Sequence, residues 1–255
     1  MEPSRIRQFG VIAIIIAAVA VALTLTFPTA AQEAAAPEPP VAPDDLQPKN
    51  IIVMISDGCG FNHLMAARQY EHGDAADPLY ESFPVQMSMT TYPAGGAYDP
   101  AQPADDFKYV MKGATDSAAA ATAMATGVKT YPGAIGVDPD KQRVVNAVEA
   151  AEAAGKATGV VTTVEFSHAT PAGFVAHNES RNNYEAIAQE MILDSAADVI
   201  MGAGHPEYNN NAQPLDGGQD YKYVGGEETW QTLRAGTAGA DADGDGEPDP
   251  WTLVD

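Results

Sequence analysis

Short apolar runs alternate along the chain with segments that have helical periodicity. Residues 50–56 form a continuous apolar run that ends at Asp57 and Gly58, a pattern that predicts a strand buried on both faces. The other predicted strands lie at 85–91, 157–164 and 198–201, and the predicted helices at 61–71, 117–127, 146–154 and 184–197. Because strands and helices alternate, we predict the α/β class, with a mostly parallel central sheet in three α/β/α layers.

The N-terminal 48 residues have a different composition from the rest of the chain. Arg5 and Arg7 precede an uncharged run at 10–27, which is followed by Pro28 and small residues. Residues 1–31 are therefore predicted to be an export signal, cleaved after residue 31, with an uncleaved membrane anchor as the alternative. Residues 32–48 are rich in proline and predict an extended linker. We expect a periplasmic or extracellular protein whose folded part comprises residues 49–255.

Composition narrows the classes of function. The chain has 255 residues, and its 35 acidic and 13 basic side chains give a net charge of −22. This charge excludes nucleic-acid binding through a general basic face. Cys59 is the one cysteine, so an intramolecular disulfide framework is excluded. We interpret Cys59 as a small buried packing residue.

Two polar motifs lie at the ends of predicted elements, one after a strand and one at the start of a helix. Asp57 comes directly after the first apolar run, where it could bind a divalent cation or cap the next helix. Asp116 and Ser117 stand at the start of the alanine-rich helix. Backbone N–H groups at a helix N-terminus favour anions such as phosphate, and with a metal they would favour Ser117 as a nucleophile. Helix capping explains the same two residues without catalysis.

A third cluster follows the strand predicted at 157–164. His168 and Thr170 could contribute to a cation site, and Arg181 offers a planar fork that matches two phosphate oxygens. A surface histidine, a turn threonine and a solvated arginine are the alternatives. The other histidines, His63, His72, His177 and His205, lack mutual metal spacing and are assigned structural or exposed positions.

An acidic segment near the C-terminus resembles half of a calcium loop. Asp241, Asp243 and Asp245 alternate with other residues and are followed by Gly246. Position twelve of an EF-hand loop is Thr252 here, where a bidentate glutamate is required, so the full motif fails. A looser Ca²⁺ site and an acidic surface loop both remain open.

Three strings together resemble the alkaline phosphatase family. They are KNIIVMISDGCG at 49–60, GATDSAAAATAMATGVKTYPGAIGVD at 113–138 and FSHATPAGFVAHNESR at 166–181. The resemblance implies that Asp57 bridges a zinc and a magnesium ion, that Ser117 is the phosphorylated nucleophile beside Asp116, and that Arg181 binds the phosphate. It further implies that Thr170 binds Mg²⁺ and that His168 contacts Mg²⁺ through water.

The family resemblance also implies a mechanism and a missing region. Ser117, activated by one of two zinc ions, attacks the phosphorus of a small phosphate monoester, and the phosphoserine is then hydrolysed. Family members take the remaining zinc ligands from a C-terminal region that this sequence lacks. We therefore expect residues 49–255 to be the N-terminal part of the catalytic domain, inactive alone, in a fragment or a truncated homologue. Homodimers are frequent in the family.

Two other functions compete with this interpretation. One is a phosphodiesterase or sulfatase of the same superfamily, in which the nucleophile is commonly threonine or a modified cysteine. The Asp116–Ser117 context argues against it. The other is an exported, non-catalytic protein that binds phosphate or calcium.

Overall fold

The structure is a computed structural model, and it describes residues 48–73, 82–99, 101–106, 108–195, 197–241 and 246–254. The chain divides into two units, 1–54 and 55–255. The predicted signal and nearly all of the predicted linker lie outside the described residues. Within the described residues, no helix has both the length and the apolar character that crossing a membrane requires.

The described chain contains seven α-helices and two strands. The helices are α1 (Phe61–His72), α2 (Gln102–Asp105), α3 (Ser117–Thr126), α4 (Ala147–Ala153), α5 (Ala169–Ala172), α6 (Tyr184–Leu193) and α7 (Gly226–Arg234). The strands are β1 (Gly159–Glu165) and β2 (Val199–Ala203), and short 3-10 helices cover Tyr109–Met111 and Lys222–Val224.

Helix α3 has a capping residue at each end. Asp116 is the N-cap, and its side chain accepts a hydrogen bond from the backbone N–H of Ala119. Gly127 ends the helix with a φ of 75°, a left-handed conformation that glycine adopts without a steric penalty. The small alanine side chains permit close packing, because a Cβ on Gly173 would lie 2.7 Å from the Cβ of Ala121.

The two strands form a parallel sheet. Gly159 pairs with Val199, Val160 with Ile200 and Val161 with Met201, and a register shift precedes the pairing of Glu165 with Ala203. Parallel strands require a crossover, which here contains α5 and α6. The observed sheet confirms the predicted α/β class and places the carboxyl ends of β1 and β2 side by side.

The core lies on one face of this sheet. Val160 and Ile200 pack against helical residues that include Ile187 and Met191 of α6, both fully buried. On the opposite face Val161 is 70% exposed and Met201 is 61% exposed. In the described part of the chain, therefore, helices cover one of the two faces that the predicted three-layer arrangement requires.

Two predicted strands do not form. Residues 50–56 and 85–91 have no strand structure, and Ile52 and Met87 are 84% and 90% exposed. A strand needs a partner for its backbone N–H and C=O groups, and no described residue pairs with either segment. An apolar run favours burial, but it does not form a strand without a second strand to pair with. Cys59 is also exposed rather than buried.

Candidate functional site

Asp57 brings two hydroxyl groups together. Ser117 Oγ donates to Asp57 Oδ1 at 3.0 Å, and Thr170 Oγ1 donates to Asp57 Oδ2 at 2.7 Å. Asp57 lies in a turn in which the Cys59 N–H donates to the Ser56 carbonyl at 3.1 Å and Gly58 has a φ of 68°. Three predicted site residues from distant parts of the sequence therefore meet at one carboxylate.

Asp116 and Arg181 form an ion pair beside Ser117. Arg181 Nη1 donates to Asp116 Oδ2 at 3.1 Å, while the N–H groups of Ala119 and Gly133 donate to Asp116 Oδ1 at 3.0 and 3.1 Å. Burial raises the pKa of Asp116, but these hydrogen bonds together lower it below its ordinary value. Asp116 is therefore both the helix cap and the partner of Arg181.

The loop that contains Arg181 is attached to residues 133–135. The Arg181 N–H donates to the Gly133 carbonyl at 2.7 Å, and Asn178 exchanges two backbone hydrogen bonds with Ile135 at 2.9 and 2.8 Å. Gly133 thus contacts both members of the Asp116–Arg181 pair. The motifs in the sequence did not indicate Gly133, because its two contacts are made by backbone atoms.

His168 lies in an aromatic environment. Its Nε2 is 3.1 Å from Glu165 Oε2, and its ring stacks on Tyr184 at 5.0 Å and lies 5.6 Å from Tyr223. Burial lowers the pKa of His168, and the charges of Arg181 and Lys222 act in the same direction, while Glu165 opposes them. The described contacts of the His168 side chain are with these neighbours and not with Asp57. No sequence signal indicated the two tyrosines, which come from α6 and the 3-10 helix at Lys222–Val224.

The residues around Asp57 offer oxygen atoms to a metal. Asp57, Ser117 and Thr170 provide a carboxylate and two hydroxyls, a set that suits the hard cation Mg²⁺. Zinc prefers nitrogen and sulfur ligands. Among the described residues, no group of three or more His, Cys, Asp or Glu side chains could hold a metal ion. The donor set therefore fits Mg²⁺ and gives zinc only part of a coordination sphere.

The predicted calcium segment is described only in part. Asp241 is exposed, and its Oδ2 accepts a hydrogen bond from the Gly246 N–H at 3.0 Å. Asp243 and Asp245 lie outside the described residues. The calcium site stays a prediction.

The fold and the site together define an α/β protein with a serine at a helix N-terminus, which donates to a carboxylate and directly follows a residue that forms a carboxylate–arginine pair. The sequence model of the alkaline phosphatase family matches residues 48–238. The chain belongs to the alkaline phosphatase family.

Individual relatives agree with this assignment. The chain is 39% identical over 191 residues to alkaline phosphatase 4 of Bacillus subtilis, a match that covers 71% of this chain and 38% of the relative. It is 36% identical over 189 residues to the alkaline phosphatase of Escherichia coli, with 66% and 38% covered. The structure of a cold-active alkaline phosphatase from the psychrophile Shewanella sp. superposes with a TM-score of 0.52 and 36% identity, over 70% of this chain and 38% of that one. The chain thus spans less than two fifths of the length of these relatives.

Proposed function

We propose that this chain contains the nucleophile and the phosphate-binding arginine of a metal-dependent phosphomonoesterase. The observation that supports the proposal best is the meeting of Ser117 and Thr170 at Asp57, next to the Asp116–Arg181 pair. The known activity class of the relatives is consistent with this geometry. Small-molecule phosphate monoesters are the proposed substrates.

Arg181 is proposed to bind the phosphate group. One of its terminal nitrogens is held by Asp116, which orients the planar guanidinium and leaves other N–H donors for two phosphate oxygens. The N-terminus of α3 adds a favourable field for negative charge at Ser117. Because the chain is strongly acidic, such local positive charge is needed to attract an anionic substrate.

Ser117 is the proposed nucleophile in two displacement steps. Its Oγ attacks phosphorus, the bond from phosphorus to the ester oxygen breaks, and the alcohol leaves with a proton. Water then attacks the phosphoserine, the bond between Ser117 Oγ and phosphorus breaks, and inorganic phosphate leaves as the hydroxyl reforms. Asp57 accepts the hydrogen bond of the Ser117 hydroxyl, which fixes the position of Oγ and helps to hold its proton before attack.

A divalent cation at Asp57, Ser117 and Thr170 would favour the ionised serine and offset the charge of the phosphoryl group. Mg²⁺ is proposed for these oxygens. The family resemblance also implies zinc at Asp57 and Ser117, and zinc there would require further ligands besides the described cluster.

Trapping the phosphoserine tests the proposal. The complete, metal-loaded protein, including the C-terminal region from which family members take the remaining zinc ligands, is incubated with inorganic phosphate at low pH, and mass spectrometry locates the modification. We expect phosphate on Ser117, none in Ser117→Ala, and an unchanged result in Thr237→Ala, which removes an exposed hydroxyl on the loop after α7. A label on another residue, or no label in the unsubstituted protein, would contradict the enzyme function. If either result is found and the protein still binds phosphate, a non-catalytic phosphate-binding function is favoured.

A further inference from the structure

We infer that His177, a buried histidine outside the site described above, is a positioning residue for Arg181. The inference depends on the proposed role of Arg181 as the phosphate ligand. It rests on a cluster of three side chains, Arg143, His177 and Glu190, that joins the loop containing Arg181 to helix α6.

The imidazole of His177 is enclosed and fully partnered. Its side chain is 2% exposed, Nδ1 lies 3.0 Å from Glu190 Oε1, and Nε2 lies 3.1 Å from the Val144 carbonyl. The backbone N–H of His177 donates to the other oxygen, Glu190 Oε2, at 3.0 Å. Glu190 therefore holds both the ring and the backbone of the same residue.

Charged groups complete the cluster. Arg143 Nη2 donates to Glu190 Oε1 at 2.8 Å and lies 2.9 Å from His177 Nδ1. Glu149 Oε2 lies 3.6 Å from His177 Nε2. Because buried polar groups cost free energy when they lose a partner, removing the imidazole would leave the Val144 carbonyl and Glu190 incompletely paired.

The cluster is connected to Arg181 through the backbone. Beyond His177 the chain runs beside residues 133–136: Asn178 pairs with Ile135, and the Arg181 N–H donates to Gly133. The approach at His177 is close, since a Cβ on Gly136 would lie 2.8 Å from His177 Cδ2. Gly133 also donates to Asp116, so His177 anchors one end of the loop and the Asp116–Arg181 pair anchors the other.

Through this connection His177 affects phosphate binding by holding Arg181 in position, although His177 itself does not contact phosphate. Bidentate recognition by arginine depends on the position of the guanidinium plane. If the anchor at His177 is lost, the loop can shift relative to α6, and the guanidinium moves away from its position against Asp116, the residue before Ser117. Small displacements of a binding group can cost much of its effect.

A double-mutant cycle on phosphate affinity tests the inference. The affinity for inorganic phosphate is measured by calorimetry in the metal-loaded protein, His177→Gln, Arg181→Ala and the double variant. We expect His177→Gln to weaken binding about tenfold when Arg181 is present and less than about twofold when it is absent, because the two residues act together. Equal losses in both backgrounds, or no loss in either, would overturn the inference. His205→Gln is the matched control and should leave the affinity unchanged.

A second measurement does not depend on phosphate. Phenylglyoxal modifies arginines, and peptide mass spectrometry gives the rate at each site. We expect His177→Gln to increase the rate at Arg181 about fivefold, as expected when a partly buried charge pair loosens, with Arg234 of α7 as the internal reference. An unchanged rate would contradict the positioning role.

The two proposals fail in different ways. If Arg181→Ala leaves phosphate affinity unchanged, the proposed function is wrong, while the modification rate still decides whether His177 positions Arg181. If His177→Gln does not fold, Glu190→Gln replaces it in both experiments. That substitution keeps an oxygen acceptor for the His177 N–H but removes the charge that binds Arg143 and the imidazole, and the same direction of change is expected.

Discussion

The two halves of the candidate site are built in different ways. The arginine clamp, which we define as Asp116, Gly133 and Arg181, is held by backbone hydrogen bonds as well as side chains. The Asp57 turn, residues 56–59, is exposed, and its carboxylate contacts the rest of the site through two hydroxyl groups. The clamp is thus fixed by the fold. The Asp57 turn offers oxygens that a cation would organise.

This difference predicts where substitutions affect folding and where they affect only ligand binding. Buried backbone groups that lose partners, and atoms that overlap in a packed region, cost free energy in the folded state. An exposed carboxylate can be neutralised with little effect on the fold. Substitutions at the clamp should therefore lower the free energy of unfolding, whereas substitutions in the Asp57 turn should weaken metal binding.

The largest effect on stability is expected for Gly136→Ala, because Gly136 packs against the segment that leads to Arg181 of the clamp. The new Cβ would overlap the Ala176 carbonyl oxygen and crowd the His177 ring, at a position with a φ of 57°. We expect a loss of about 3 kcal/mol or more in the free energy of unfolding, measured with urea.

Gly155→Ala is the control for backbone strain alone. Gly155 has a φ of 67°, and no heavy atom lies within 4 Å of its added Cβ. A loss of only about 1 kcal/mol is expected. Equal losses in the two variants would show that the close approach beside His177 contributes nothing to stability.

The second prediction concerns the charge of Asp116. Its pKa is lowered in the folded state, so the ionised carboxylate stabilises the fold above its ordinary pKa of about 4. This stabilisation is lost as the pH falls through the lower folded-state pKa. Asp116→Asn should cost about 1 to 2 kcal/mol at neutral pH.

Urea unfolding from neutral pH down to about pH 3 tests this sign. The difference in the free energy of unfolding between Asp116→Asn and the unsubstituted protein should become smaller as the pH falls below about 4. Glu228→Gln, on an exposed position of α7, should show little difference at any pH. If the difference for Asp116→Asn becomes larger in acid, the pKa of Asp116 is not lowered by folding.

The smallest effect on the fold is expected for Asp57→Asn. Because Asp57 is exposed, its substitution should change the free energy of unfolding by less than about 0.5 kcal/mol without metal. With Mg²⁺ at about 100 times its dissociation constant, the unsubstituted protein should gain about 2.7 kcal/mol, a gain that Asp57→Asn should lack. Asp216→Asn, an exposed carboxylate elsewhere, should retain it. Removing the metal with a chelator should abolish the difference.

Local signals in the sequence were sufficient for several features. Asp116 caps α3 and Gly127 ends it, as the capping rules lead one to expect. The predicted helix at 146–154 forms as α4, capped by Asn146, whose backbone N–H donates to the Glu149 side chain. The helix at Tyr184 begins where it was predicted but ends at Leu193 rather than residue 197, and Ser195 Oγ donates to the Met191 carbonyl just beyond its end. Ends of helices depend on such nearby polar groups.

Contacts between distant residues could not be read in the same way. The motif around Thr170 gave no reason from spacing alone for the Thr170 hydroxyl to meet Asp57, and nothing near His168 indicated Tyr184 or Tyr223. The apolar run at 50–56 shows the limit most clearly. Its composition favours burial, but a strand forms only when another strand satisfies its backbone groups.

The sequence determined those properties that depend on neighbouring residues: the net charge, the capped helices, the β-rich segments at 159–165 and 199–203, and the family motifs that contain Asp57, Ser117 and Arg181. Tertiary packing decided the pairing of Arg181 with Asp116, the anchoring of its loop through His177, and the meeting of two hydroxyls at Asp57. The physical reason is range. Capping and propensity act within a turn or two of the chain, whereas these contacts arise only when packing of the core brings separate segments to within hydrogen-bond distance.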